Sequence, residues 1–69
     1  MRLSARNIIK GKVLDVTLGA TTAHVKMDVG GRTVITASIT NEAARELGLK
    51  TGDAAYAVIK ASDVMVGKD

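Results

Sequence analysis

A polar stretch close to the start of the chain carries residue types that bind anions. It reads Ser4-Ala5-Arg6-Asn7 (the tetrad) and combines a hydroxyl, a guanidinium and an amide, with no carboxylate among them. These three polar side chains all donate hydrogen bonds, and Ala5 is small enough for a ligand to approach the main chain. The tetrad therefore predicts a donor-rich surface for a negatively charged ligand.

A second polar stretch lies near the other end of the chain. Lys60-Ala61-Ser62 (the late segment) supplies an ammonium group and another hydroxyl. Taken singly, both stretches have plain explanations, a polar terminus for the tetrad and a surface lysine at a strand end for Lys60. Taken together, they predict one anion site built from both ends of the chain.

Length and composition restrict how the chain can be stable. Its 69 residues allow one domain, over residues 1–69, and a domain of this size buries only about 60% of its unfolded surface. Because the chain has no cysteine and a single histidine, His24, neither a disulfide nor a structural metal site can make up for this small core. The apolar content of 46% is high for so small a chain. We therefore expect a homo-oligomer whose interfaces bury the apolar surface that the core cannot accommodate.

The charge balance favours anionic partners without identifying them. Ten Lys and Arg residues oppose seven Asp and Glu residues, which gives a net charge of +3 and a pI near 9.6. No apolar run approaches the roughly 18 residues of a membrane span, and the N-terminus lacks the apolar region of a signal peptide. We therefore expect a cytoplasmic protein without a membrane partner.

Alternating apolar residues predict β-strands along most of the chain. The expected strands cover residues 7–16, 22–29, 32–39, 54–60 and 64–66. Within the first strand, Gly11 predicts a bulge or a sharp bend. Between the second and third strands, Gly30-Gly31 predicts a two-residue hairpin turn.

A two-turn helix is predicted between the third and fourth strands. Thr40 or Asn41 can cap its start, and Gly48 suits the left-handed conformation that ends it. Its buried positions are expected at Ala43 or Ala44 and at Leu47, with Leu49 just beyond. Because a helix start also presents free N–H groups to an anion, Thr40 is either a plain cap or an anion contact. Five strands and one short helix predict an all-β Greek-key barrel of the oligonucleotide/oligosaccharide-binding (OB) type.

Four features, spread from Ser4 to Val66, match a family pattern in combination. They are the tetrad before a strand containing Gly11, the helix exit Leu47-Gly48-Leu49, Gly52 in the next turn, and Ile59-Lys60-Ala61-Ser62-Asp63-Val64-Met65. With these features the chain resembles the molbindin (Mop/TOBE-type) family of molybdate-binding proteins. The tetrad paired with the late segment is the most specific part, because either stretch alone is a weak signal.

The resemblance implies a barrel assembled as a hexamer, a trimer of dimers, with oxyanions held between subunits for intracellular molybdenum storage and homeostasis. The ligand is expected to be molybdate, with tungstate as the alternative, without an organic cofactor or a directly bound metal ion. Where some family members have a serine, this chain has Ala43, which removes one hydroxyl contact. The implied oxyanion-binding residues are Ser4, Ala5, Arg6, Asn7, Thr40, Lys60, Ala61 and Ser62.

The chemistry of the ligand agrees with such a site. Molybdate is a fully ionised dianion near pH 7, so its oxygens only accept hydrogen bonds, whereas hydroxyls, N–H groups and Lys60 donate them. Monohydrogen phosphate carries a proton that would find no acceptor there, and an unpaired buried polar group costs about 1 to 3 kcal/mol. We therefore expect rejection of phosphate, while sulfate and tungstate, which lack that proton, are distinguished by size or not at all.

Two other classes of function fit parts of the sequence. The basic pI and the barrel allow a nucleic-acid-binding module, but Tyr56 is the only aromatic residue, and single-strand binding on such barrels relies on aromatic stacking. An enzyme is not expected, because the chain has no cysteine, no credible triad and no ligand cluster. His24 lies on a polar strand face without an acidic or thiol partner at a useful spacing, so we interpret it as a solvated or interface histidine.

Overall fold

The structure is a computed structural model that describes residues 2–69 as one curled antiparallel sheet with a short helix. The strands are β1 (Asn7–Leu18), β2 (Thr22–Asp28), β3 (Val34–Thr40) and β4 (Ala54–Ile59). Helix α1 covers Asn41–Leu47, and one 3₁₀ turn covers Ala61–Asp63. The sheet order is β3-β2-β1-β4, and all three neighbouring pairs are antiparallel. The long strand β1 therefore pairs with both β2 and β4, which leaves β3 and β4 as the edges.

A bulge in β1 lies at Leu14 and not at Gly11, where the sequence predicted it. Val13 pairs with Met27 and Asp15 pairs with the next residue back along β2, so Leu14 is the extra residue. Gly11 instead permits a close approach. A Cβ at this position would lie 2.7 Å from the carbonyl oxygen of Asp28, which leaves no room for a side chain.

The hairpin between β2 and β3 is confirmed, but its turn is longer than the predicted two residues. Gly30, Gly31 and Arg32 have φ angles of 96°, 58° and 64°. The N–H of Thr33 donates to the carbonyl of Gly30 at 2.9 Å, and the N–H of Val29 donates to the carbonyl of Thr33 at 3.0 Å. The two-residue prediction is wrong because a third residue, Arg32, also adopts the left-handed conformation.

The core lies on the inner face of the curled sheet. Its buried apolar side chains are Val13, Ala23, Val25, Met27, Ala44 and Ala57. In β2, buried and exposed residues alternate without interruption, which confirms the face predicted from the sequence. Half-buried residues of β1, β3 and β4 pack around this centre. The core is small, as expected for a chain of this length.

Helix α1 has the ends that the sequence predicts. The Thr40 hydroxyl oxygen accepts a hydrogen bond from the N–H of Ala43 at 3.0 Å, and Gly48 ends the helix with a φ of 62°. Ala44 is buried as expected, but Leu47 is 69% exposed. The burial prediction for Leu47 is wrong for the single chain, because this side chain lines a groove that the chain leaves open.

Residues 64–66 do not form the predicted fifth strand. After β4 the chain enters the 3₁₀ turn, and Val64, Met65 and Val66 follow with exposures of 49%, 94% and 94%. Without this strand, a groove of about 420 Å³ stays open beside the core, lined mainly by apolar residues of β2, β3, β4 and the helix exit. In the described part of the chain, no helix is long and apolar enough to cross a membrane.

Candidate functional site

The pairing of β1 with β4 brings the tetrad and the late segment to the same end of the sheet. Asn7 and Ile59 form the outermost pair of this antiparallel ladder. The tetrad runs into β1 at Asn7, and the late segment leaves β4 directly after Ile59. Two stretches that are more than 50 positions apart in the sequence therefore lie side by side.

A side-chain hydrogen bond reinforces this pairing. The amide Nδ2 of Asn7 donates to the carbonyl oxygen of Ile59 at 3.2 Å, and the contact is partly buried. Asn7 is thus the member of the tetrad that touches the strand carrying the late segment. One of its two N–H groups is used in this bond, and the other is left for a ligand or for water.

The late segment turns sharply once it has left β4. Lys60 is extended, with φ −65° and ψ 141°. Its carbonyl accepts from the N–H of Asp63 at 2.9 Å, which closes the 3₁₀ turn. Lys60, Ala61 and Ser62 are all exposed, as are Ser4 and Arg6 at the same end of the sheet. Two cationic side chains and two hydroxyls are therefore accessible there to an anion.

Thr40 lies at the opposite end of the sheet. It pairs with Thr22, which is next to Ala23, the partner of Leu18 at the far end of β1. Since β1 has 12 residues, its two ends lie up to about 36 Å apart at roughly 3.3 Å per residue. Within one chain, the register therefore places Thr40 at the Leu18 end of the sheet and the tetrad at the Asn7 end. Seven of the eight sequence-predicted residues share one end, and Thr40 does not join them.

Asn41 anchors the end of the sheet that carries Thr40, a role that the sequence did not reveal. Its side-chain Nδ2 donates to the carbonyl of Gly19 at 2.9 Å, and its main-chain N–H donates to the carbonyl of Thr21 at 2.9 Å. Asn41 is buried, and its Oδ1 has no partner among the described residues. These bonds tie the start of α1 to the loop between β1 and β2 and so fix the position of Thr40.

Carboxylates and imidazoles do not cluster in the described residues. Residues 2–69 contain no group of three or more His, Cys, Asp or Glu side chains close enough to hold a metal ion. His24 is exposed and lies opposite Thr17 on β1 and Ser38 on β3. The polar side chains of the tetrad and the late segment are hydrogen-bond donors and cations, which suit an oxyanion, and the one carboxylate in the adjoining 3₁₀ turn is the exposed Asp63.

The chain is similar to proteins named for binding molybdenum. The TOBE domain family model matches residues 3–66. A probable molybdenum-pterin-binding protein of Haemophilus influenzae is 46% identical over 67 residues, which cover 97% of each chain. A molybdate binding protein from Sporomusa ovata has a TM-score of 0.92 at 34% identity, covering 99% of this chain and 100% of that one. The cytoplasmic molybdate-binding protein ModG, with molybdate bound, has a TM-score of 0.89 at 52% identity, covering 94% of this chain and 46% of that one.

These similarities extend over the whole fold and not over an isolated motif. The matched residues 3–66 include the tetrad, Thr40 and the late segment. The relative from Haemophilus influenzae matches over nearly its full length as well. The resemblance to the molbindin pattern is therefore confirmed, and the chain belongs to the TOBE domain family.

Proposed function

We propose that this chain binds molybdate, with tungstate as the alternative oxyanion, at sites formed between copies of itself. The observation that carries the proposal is the register of β1 against β4, which sets the tetrad beside the late segment. The residues proposed to line the site at this end are Ser4, Ala5, Arg6, Asn7, Lys60, Ala61 and Ser62. Their polar side chains supply donors without a carboxylate, which matches a dianion that only accepts hydrogen bonds.

Thr40 completes the site from a second chain. Its hydroxyl oxygen accepts from the N–H of Ala43, and its hydroxyl proton remains free to donate to an anion. Capping and anion binding are therefore compatible at this residue. Since Thr40 and Asn7 lie at opposite ends of one sheet, a site that contains both draws them from different subunits.

The exposed surface supports self-association. The chain exposes 5563 Å², whereas a compact monomer of 7.2 kDa exposes about 4100 Å². The difference is of the size that subunits bury in obligate oligomers. It fits the proposed homo-hexamer, a trimer of dimers, better than a monomer.

The tail Val64–Val66 is the segment that we place in this interface. It is apolar, exposed and extended at its start, where Val64 has φ −94° and ψ 124°. The open groove between β3 and β4 is apolar and lies where a fifth strand would close the barrel. We propose that the tail of one copy supplies this strand to a second copy, so that five strands surround each core.

The proposed role is storage and buffering of molybdate in the cytoplasm, without chemical conversion of the anion. Native mass spectrometry of the purified protein, with and without molybdate, tests assembly and ligand together. We expect a hexamer that gains several molybdate masses and is indifferent to phosphate and a short single-stranded oligonucleotide, and added sulfate shows whether the site also distinguishes anions by size. A monomer that ignores molybdate and retains the oligonucleotide would refute the proposal in favour of nucleic-acid binding.

A further inference from the structure

Asp63 is a carboxylate next to a site that is proposed to hold a dianion. It directly follows Ser62, it ends the 3₁₀ turn, and its side chain is exposed. The cations at this end of the sheet, Arg6 and Lys60, are assigned to the oxyanion itself. Because like charges that lie close together repel each other, a cation from elsewhere in the assembly is expected beside Asp63.

A second groove, the helix groove, lies between helix α1 and the far end of β1. It measures about 290 Å³ and belongs to the end of the sheet that carries Thr40. Arg45 and Lys50 are its charged lining residues, and both are exposed cations. The rest of its lining is apolar or glycine and consists of Val16, Leu18, Ala44, Gly48 and Leu49.

The helix groove adjoins the open groove that is proposed to receive the tail of a second copy. Leu49 lines both grooves. The tail begins at Val64, and Asp63 is the residue directly before it. A tail that enters the open groove therefore carries Asp63 of its own chain to the side of the helix groove.

The proposed anion site brings the same two surfaces together. Arg45 lies five residues after Thr40, a rise of about 7.5 Å along the helix. Ser62, which precedes Asp63, is assigned to the anion that Thr40 of a second copy contacts. Asp63 of one chain and Arg45 of the other thus lie on the two sides of one anion, where a long arginine side chain can reach a carboxylate.

We propose that the helix groove is the docking surface for the tetrad end of a second copy, and that Arg45 at its rim pairs with Asp63 of that copy. This inference rests on the proposed function and adds a contact between subunits to it. Arg45 is assigned and not Lys50, because the main-chain N–H of Lys50 donates to Oδ2 of Asp53 at 2.9 Å, so an acid of the same chain already lies there. A guanidinium can also bind a carboxylate through two parallel hydrogen bonds.

Charge reversal in two separate chains tests the pair. Asp63→Lys and Arg45→Glu each place like charges in the contact, so each should raise the concentration at which half of the oligomer dissociates at least tenfold. An equimolar mixture of the two variants restores opposite charges in every contact between unlike chains. We expect native mass spectrometry of the mixture to show oligomers that contain both chains. A mixture that stays as dissociated as its components would overturn the inference, and so would either variant that assembles like the wild type.

Arg32→Glu provides the matched control. Arg32 is exposed in the hairpin turn between β2 and β3, away from both ends of β1. Mixed with Asp63→Lys, it supplies the same charges as Arg45→Glu but not in the contact, so this mixture should stay dissociated. Equal restoration by both partners would overturn the inference, because net charge alone would then explain it.

Neutral variants keep the test decisive if a charge reversal impairs folding. Asp63→Asn and Arg45→Gln should each raise the dissociation midpoint several-fold, and the double variant should be little worse than either one. Fully additive effects would overturn the inference.

Measurements without and with molybdate separate this inference from the proposed function. Complementing oligomers that gain no molybdate mass would refute the proposed function and leave the pair intact. Oligomers that bind molybdate but do not complement would refute only the pair, and a wild-type chain that stays monomeric would refute both.

Discussion

Gly11 lies directly against Asp28, and a Cβ at position 11 would come within 2.7 Å of the Asp28 carbonyl oxygen. The same Cβ would lie 2.9 Å from Cγ1 of Val29. Both distances are shorter than van der Waals contact, and the carbonyl belongs to the main chain, so it cannot rotate away. This contact fixes the spacing between β1 and the end of β2 at the middle of the sheet.

Gly11→Ala should therefore destabilise the protein without touching the anion site. We expect the free energy of unfolding to fall by about 1–3 kcal/mol, as for overpacking of a tight site. Urea unfolding at fixed protein concentration measures it, since oligomer stability depends on concentration. Gly67→Ala is the matched control, because nothing lies within 4 Å of a Cβ there. Equal stability of both variants would contradict the contact.

Thr40→Asp should separate capping from anion binding. Aspartate caps helices as well as threonine does, so the stability of the protein should stay within about 0.5 kcal/mol of the wild type. Its carboxylate would face the bound oxyanion from the second subunit, and we expect the molybdate affinity to fall at least tenfold. Calorimetric titration and thermal unfolding measure the two effects. Unchanged affinity would show that Thr40 is only a cap.

Asn7→Asp should weaken molybdate binding about tenfold or more. The aspartate cannot donate to the Ile59 carbonyl, and it adds a negative charge beside the late segment. The loss should shrink at high ionic strength, because salt screens the charge but does not restore the hydrogen bond. Ser38→Asp, on the exposed face of β3, is the control with the same added charge. A comparable loss in that variant would point to net charge and not to position.

Met65→Asp should dissociate the oligomer. This side chain is 94% exposed in the single chain, where a charge would be harmless, but the proposed interface buries it in the apolar groove of a second copy. Sedimentation velocity should show smaller species than the wild type at the same concentration. Thr36→Asp, on the outer face of β3, should leave the assembly intact. A sedimentation coefficient equal to that of the wild type would show that the tail is not part of the interface.

The elements whose signals are local could be predicted from the sequence. The alternation in β2, the glycine-rich hairpin turn and both ends of α1 depend on residues within a few positions of one another. The bulge at Leu14 could not be located, because it arises where β1 passes from pairing with β4 to pairing with β2. Gly11 was the residue that predicted a bulge or bend, but a glycine is needed there because β1 closely approaches the main chain at Asp28.

The candidate site, too, could be predicted from the sequence only in part. Residue types and spacing were sufficient to single out the tetrad and the late segment, and the register of Asn7 with Ile59 then brought them together. The separation of Thr40 from both could not be predicted, since it follows from the order of strands across the sheet. Asn41 was overlooked because its partners, Gly19 and Thr21, belong to a loop with no polar side-chain pattern of its own.

The placement of the tetrad and Thr40 at opposite ends of β1 has a consequence for stoichiometry. In the proposed assembly, each chain offers its tetrad end to one anion and its Thr40 end to another. Every anion then cross-links two chains, and the number of such sites equals the number of subunits. Molybdate is in that case a structural component of the particle, and its removal loosens the contacts between subunits as it empties the store.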